Sequence, residues 1–258
     1  MQLQEEKALN VAIKASEIAA KFLVENNIDR SISIKKDGSP LTSLDVLSQE
    51  LIIKHIKSQF PNDSILAEES EQISGNNSRL WIIDPIDGTA NYANSFPMCG
   101  INISLRSDSK PIVSITRSIF QNEYMYRILE SPIVYCGEFL NPKDCSGHVI
   151  VDSIPADVNR TEIKNLADKF YNARLPIRSV GSAAIGIMYV ILGRASAYFA
   201  PRLHIWDIAP GLHFANNDEN FMIVNLELKR WKESDVGFGI IRKDCKVLKK
   251  ALGGVEWE

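Results

Sequence analysis

The chain has no CxxC pair, and its four cysteines, Cys99, Cys136, Cys145 and Cys245, are scattered. This excludes a zinc-ribbon or dithiol redox site and points to a reducing cytoplasm, with the thiols as small buried hydrophobes. The four histidines form no HExxH pair, so the common helical zinc-hydrolase pattern is excluded too. No apolar run reaches the ~18 residues of a membrane span. The opening MQLQEEKALN is polar and acidic, unlike a signal peptide. No basic block occurs; Lys35-Lys36 and Lys249-Lys250 are only pairs, and a net charge of −3 with interspersed signs gives no general nucleic-acid surface. Repeats and low-complexity tracts are also lacking. What is present is a chain of 258 residues, 45% hydrophobic and 24% charged. That is an ordinary globular profile, long enough for a sizeable core in one large domain or two parts.

Apolar periodicity predicts a helix over 3–25 and a second opening at Thr42-Ser43-Leu44-Asp45. Thr42 and Asp45 fit a capping box, which accounts for Asp45 structurally; the same carboxylate also stands at a fixed point where it could orient another group. Strands are expected at 31–35, 64–67, 80–84, 98–105, 111–116, 123–129, 148–153, 176–180, 195–200, 221–228 and 237–242. Asp108-Ser109-Lys110 forms a hairpin turn. Further helices are expected over 156–172 and 181–192, after Asp207, and at the C-terminus. Residues 130–147 are poorly patterned, with Pro132, Gly137, Pro142 and Gly147, and set a soft boundary between parts 1–145 and 146–258.

The informative stretch is WIIDPIDGTANY, residues 81–92. A buried strand ends in Asp84, Pro85 keeps Asp84 extended, and Asp87-Gly88 turns sharply into a short helix opened by Thr89-Ala90-Asn91. Two hard oxygen donors on such a turn suit Mg²⁺, which retains waters for a phosphate to displace. N–H groups at 88–90 would face an anion at a helix start. The bland alternative is a simple Asp-Gly hairpin turn. Upstream, Ser64–Ala67 ends in Glu68-Glu69-Ser70-Glu71, either a solvated acidic loop or, if the two strands are neighbours, a second set of acids at the same sheet edge. Asp207 stands where a helix cap belongs, with Pro210 in the first turn. Gly181-Ser182-Ala183-Ala184 would admit either a ligand or a tightly packed neighbour.

Four blocks, PLTSLD around Asp45, AEES around Glu68, WIIDPIDGTANY and IWDIAPG around Asp207, stand in one order over about 36–212, with RSVGSAA at 178–184. On these the chain resembles the inositol monophosphatase family of Mg²⁺-dependent, lithium-sensitive phosphomonoesterases. That family shares its superfamily with fructose-1,6-bisphosphatases and 3′(2′),5′-bisphosphate nucleotidases. The resemblance implies an α+β fold, a layered α/β/α/β/α sandwich with mixed sheets, commonly a homodimer. It implies two or three Mg²⁺ ions, with Li⁺ inhibitory. Glu68, Asp84 and the Ile86 carbonyl would hold the first ion, and Asp84, Asp87 and Asp207 the second. Glu68, Thr89 and Asp45 would be catalytic, Asp45 orienting the Thr89 hydroxyl that helps activate a water, without a covalent phosphoenzyme. Gly88 and Thr89 would grip phosphate. Gly181 and Ser182 would bind substrate, while Glu69 and Glu71 would remain surface acids.

The ring-recognition half departs from the family pattern. Ala200 takes the place of the usual inositol-binding Glu, followed by Pro201 and Arg202, and Asn217-Asp218-Glu219-Asn220 replaces the usual Glu-Ala-Gly-Gly. Arg202 is either a contact to a second anion or a surface ion pair. The expected substrate is a small polyol or sugar phosphate, inositol monophosphate by default. The DGSPLT block keeps a bisphosphate nucleotidase or histidinol-phosphate phosphatase open. Some family members associate with the transcription machinery, so a regulatory binding protein that keeps the fold is the non-enzymatic alternative.

Overall fold

The computed structural model describes residues 2–26, 32–35, 40–138, 147–152, 160–225 and 237–253. In chain order the elements are α1 (Gln2–Glu25), β1 (Ser33–Ile34), β2 (Pro40–Leu41), α2 (Ser43–Gln59), β3 (Ser64–Ala67), β4 (Arg79–Asp87), α3 (Thr89–Ala93), β5 (Gly100–Ser107) and β6 (Lys110–Ser118). Then come β7 (Tyr124–Ile128), β8 (Val134–Cys136), β9 (Val149–Val151), α4 (Arg160–Asn172), β10 (Ile177–Arg178), α5 (Ala183–Ile191), β11 (Ala197–Ala200), α6 (Ile205–Ala215), β12 (Phe221–Val224), β13 (Phe238–Arg242) and α7 (Lys246–Ala251). The expected helix start at 156–159 and strand end at 226–228 lie outside the described residues. Strand β8 arises in the stretch without a clear pattern.

Two compact units form: Met1–Glu138 with Ile205–Phe214, and Phe139–His204 with Ala215–Glu258. A division at 145/146 would leave Asp207 in the C-terminal part. The structure instead returns its helix to the first unit, because the groups that bind it, Asn102 and Arg127, belong to that unit's sheet.

The first unit is built on a six-stranded mixed sheet, order β3-β4-β5-β6-β7-β8, parallel only between β3 and β4. Period-two alternation divides its faces. Ile101, Ile103 and Leu105 of β5 and Val113 and Ile115 of β6 join Ala8, Ala12, Ala15 and Ala19 of α1 and Ile52 and Ile56 of α2 in one core. The small residues of α1 let that helix approach closely. On the other face the intervening side chains are polar and buried: Asn102, Ser104, Ser114 and Thr116. Burying polar groups is unfavourable unless they are hydrogen-bonded. Ser104 and Ser114 pair at 2.7 Å, and Thr116 Oγ1 donates to Asn102 Oδ1 at 2.7 Å.

Helix α6 is received by that polar face. It begins at Ile205, so Asp207 is its third residue rather than the cap the sequence suggests. Pro210 lies inside it and not in the first turn. Proline has no N–H, so the Trp206 carbonyl loses its i+4 donor; the amide of Asn102 reaches that carbonyl and the next one.

The second unit carries a five-stranded sheet, order β10-β9-β11-β13-β12. Strands β10, β9 and β11 are mutually parallel, and β13 runs antiparallel to both its neighbours, β11 and β12, so this sheet is mixed as well. Its core joins Phe170 of α4, Phe199 of β11 and Ile241 of β13. In α5 a Cβ on Gly186 would lie 2.3 Å from the Tyr198 ring, so at least this small residue serves close packing.

Candidate metal centre

Strand β4 is buried along most of its length because it lies between β3 and β5. It delivers Asp84 and Asp87 at its carboxyl end, where the pairing with β5 shifts register between the two. That irregularity turns both carboxylates to one place. Strand β3 runs parallel to β4 with Ala67 opposite Ile83, and the Glu68 N–H donates to the Ile83 carbonyl at 3.2 Å. The conditional expectation that Glu68 and Asp84 meet at one sheet edge is therefore met.

Asp84, Asp87 and Asp207 each offer an oxygen, all within 4.8 Å of one another. Asp84 and Asp87 are buried and Asp207 half-buried. Burial first, and then the negative charges of Glu68, Asp87 and Asp207, hold the Asp84 carboxyl well above the ordinary carboxylate range. Acids so placed are unfavourable on their own and become favourable around a cation. The donor set is all oxygen, with carboxylates on rigid elements, which fits Mg²⁺ and not a soft metal. One Asp84 oxygen also accepts the Ile86 N–H at 3.1 Å, which fixes the turn.

Both readings of Asp45 hold at once. Its Oδ2 closes the capping box by accepting from the Thr42 N–H at 2.9 Å and the Thr42 hydroxyl at 2.5 Å. Its Oδ1 accepts the Thr89 hydroxyl at 2.9 Å. The carboxylate is fully buried, and desolvation pushes its pKa up against the lowering by Thr42 and Thr89. Gly88 precedes α3 in the left-handed region, φ 92°, a conformation glycine supplies without Cβ strain. Thr89 begins the helix, where the first N–H groups have no helical acceptor.

Two charged residues escape sequence reasoning. Lys35 places its ammonium 2.7 Å from a Glu68 oxygen and 2.5 Å from a Glu69 oxygen. Glu69 is thus no surface acid: its side chain is 4% exposed, its N–H donates to Gln49, and burial leads its rise to about 7. Glu71 is exposed, as expected. The pairing of Lys35 with acids more than thirty positions away has no local sequence signal.

In the second unit Gly181 takes φ 66°, but its N–H donates to Asp152 Oδ1 at 2.9 Å. Val180 N–H and the Ser179 hydroxyl share that oxygen. Ser182 caps α5 by accepting from the Ile185 N–H. The carboxylate of Asp152 therefore organises this turn. Arg202 is exposed beyond β11.

The inositol monophosphatase family model matches residues 4–214. The "Nus factor SuhB" of Xylella fastidiosa is 30% identical over 213 residues, covering 80% of this chain and 77% of that one. "Inositol monophosphatase 1" of Xenopus laevis is 30% identical over 219 residues, covering 78% and 75%. A solved IMPase/NADP phosphatase complexed with Mg²⁺ and phosphate superposes with a TM-score of 0.77 at 22% identity, covering 97% of each chain. The fold class is accordingly the α+β layered sandwich expected from the sequence. Among the described residues no helix is long and apolar enough to cross a membrane.

Proposed function

The chain belongs to the inositol monophosphatase family, and on that premise we propose that it is a Mg²⁺-dependent phosphatase of a small polyol or sugar phosphate monoester. One observation carries the reading: Asp84, Asp87 and Asp207 converge within 4.8 Å, beside Glu68, on elements that hold them rigidly. Mg²⁺ would be held by Asp84, Asp87 and Asp207 at one position, and by Asp84, Glu68 and the Ile86 carbonyl at another. Bound there, it would neutralise the phosphate dianion, stabilise the departing alkoxide and lower the pKa of water.

The protein's own groups supply the rest. N–H groups of Gly88 and Thr89 would hold phosphate oxygens at the start of α3. The Thr89 hydroxyl has one proton and donates it in a hydrogen bond to Asp45 Oδ1 at 2.9 Å, the shorter of two contacts, with the Ile86 carbonyl at 3.2 Å. Its lone pairs would be left to accept from an attacking water, and a proton lost by that water would be taken at Thr89 Oγ1 as the hydroxyl proton moves to Asp45. Burial makes Asp45 a stronger base than an exposed aspartate, which suits this task. The nucleophile is water, so no phosphoenzyme forms.

Colorimetric phosphate release over inositol 1-phosphate, sugar phosphates, histidinol phosphate and adenosine 3′,5′-bisphosphate tests this. Mg²⁺-dependent turnover of at least one is expected, with most of it lost in Asp87→Asn. No release from any substrate, or full activity in Asp87→Asn, would sink the proposal. Preference for the bisphosphate nucleotide or for histidinol phosphate would transfer the chain to that narrower class.

The relatives named as Nus factor SuhB favour a second reading, a regulatory binding protein that keeps the fold. Binding of a purified partner that survives loss of Asp84 and Asp87 would support it; loss of binding together with the acids would not.

A further inference from the structure

Asp207 reaches the cluster on a helix, whereas Asp84 and Asp87 lie on a strand, and a metal centre tolerates little play between ligands carried by different elements. Something must fix α6 against β4. Asn102 stands directly opposite Asp84 in the β4–β5 ladder and is 1% exposed. Its Nδ2 donates to the Asp207 carbonyl at 3.0 Å and lies 3.4 Å from the Trp206 carbonyl, the one that Pro210 deprives of its helical donor. Both of those carbonyls only accept, which decides the amide's orientation: nitrogen to α6, and therefore oxygen to Thr116, whose hydroxyl donates to Oδ1 at 2.7 Å.

The far end of α6 is anchored separately. Arg127 Nη1 donates to the His213 and Phe214 carbonyls at 2.8 and 3.0 Å, a cation at a helix C-terminus. The His213 ring bridges Ser114 and the Leu129 carbonyl. Those contacts fix tilt and register over the sheet, whereas Asn102 acts beside Asp207.

We propose that Asn102, held by Thr116, is the positioning residue that sets the Asp207 carboxylate against Asp84 and so determines the affinity of the ion they share. This rests on the acids being Mg²⁺ ligands. Asn102→Leu keeps the volume and removes the donor, and Thr116→Val keeps Asn102 but removes the hydroxyl that anchors its oxygen. Calorimetric titration with Mg²⁺ alone, without substrate, should show about tenfold weaker binding in Asn102→Leu, the usual scale for groups behind metal ligands. A smaller weakening is expected in Thr116→Val. On an Asp207→Asn background, Asn102→Leu should change Mg²⁺ affinity no further, because the carboxylate it positions is gone. Unchanged affinity in both single variants, or full additivity with Asp207→Asn, overturns the proposal while leaving the phosphatase reading intact. Absence of Mg²⁺ binding by the unaltered protein would defeat both. Urea unfolding in chelator separates the effect from folding: a variant that loses stability but keeps its affinity counts against the proposal, and Thr116→Val provides the test if Asn102→Leu does not fold.

Discussion

The ring of His213 is 2% exposed, and its surroundings disfavour charge. Nε2 faces the Leu129 carbonyl, which only accepts, so the proton of the neutral ring is on Nε2. Nδ1 then accepts from Ser114, whose hydroxyl in turn accepts from Ser104. Burial is the main cause that pulls the pKa from 6.5 to about 4; the Leu129 carbonyl opposes it, and the charges of Arg127 and Arg106 add to it. A pKa depressed in the fold means that the unfolded chain takes up the proton first. Stability is therefore complete above about pH 6.5, falls as pH drops and levels off below about pH 4. From these two values the loss is about 2 kcal/mol at pH 5 and about 3 kcal/mol at pH 4.

Other groups titrate in the same range, so the test is a difference. Urea unfolding in chelator at pH 7.5 and pH 5 would be compared for the unaltered protein and His213→Leu. Removing the ring leaves the Ser114 hydroxyl and Leu129 carbonyl short of a partner, a cost of about 1–3 kcal/mol that is the same at both pH values. The advantage of the unaltered protein should therefore shrink by about 2 kcal/mol between pH 7.5 and pH 5. A gap that stays constant within about 0.5 kcal/mol, the ordinary limit of additivity, would refute the reasoning. So would an NMR titration in which the His213 ring protonates near pH 6.5.

Asp84→Asn removes a buried like charge and should stabilise the metal-free protein by about 0.5–2 kcal/mol in urea unfolding; it should also abolish the stabilisation expected from Mg²⁺ in the unaltered protein, about 2.7 kcal/mol at a hundred times the dissociation constant, read as a rise in thermal midpoint. Destabilisation of the metal-free variant would contradict the like-charge picture. Thr89→Val keeps the shape but removes the hydroxyl between Asp45 and the reaction, so kcat should fall about 10²–10⁴-fold with KM little changed, whereas Thr89→Ser should retain most of the rate; equal rates for the two would exclude a role for the hydroxyl. Gly88→Ala forces a Cβ into φ 92°, and should lower stability by about 1–2 kcal/mol in the same unfolding assay; no loss would mean that the turn relaxes.

Much of the first unit is legible in the sequence because its signals are local. The helical period of α1, the capping box before α2, the 64–67 strand ending in acids and the Asp-Pro-Ile-Asp-Gly-Thr turn each need only a few neighbouring residues. The misreadings concern distant partners. Asp207 reads as a cap when Pro210 is taken to mark a first turn, yet α6 accommodates an internal proline because Asn102, on a strand far back in the chain, reaches the vacated carbonyl. Glu69 reads as solvated because Lys35 lies far from it in sequence. The polar face carries a signal of its own: in GINISL and VSIT, Asn102, Ser104, Ser114 and Thr116 fall on every second position of strands whose other positions are wholly apolar. In a strand buried on both sides, a regular row of small polar residues means a hydrogen-bonded partner and not solvent.

That row bears on how the centre is kept together. A cluster of mutually repelling acids gives α6 no reason to approach β4, and an apolar contact would bring it near without fixing its register, since a hydrophobic surface is non-directional. Hydrogen bonds from Asn102 at one end of the helix and from Arg127 and His213 at the other are directional, and each buried donor or acceptor left unmet costs about 1–3 kcal/mol. A helix shifted by one residue would break several at once, so α6 has one favourable seat, and the carboxylate three residues into it has one place. The acids supply the affinity for a cation, and the polar face of the sheet supplies the geometry that repulsion among them would otherwise undo.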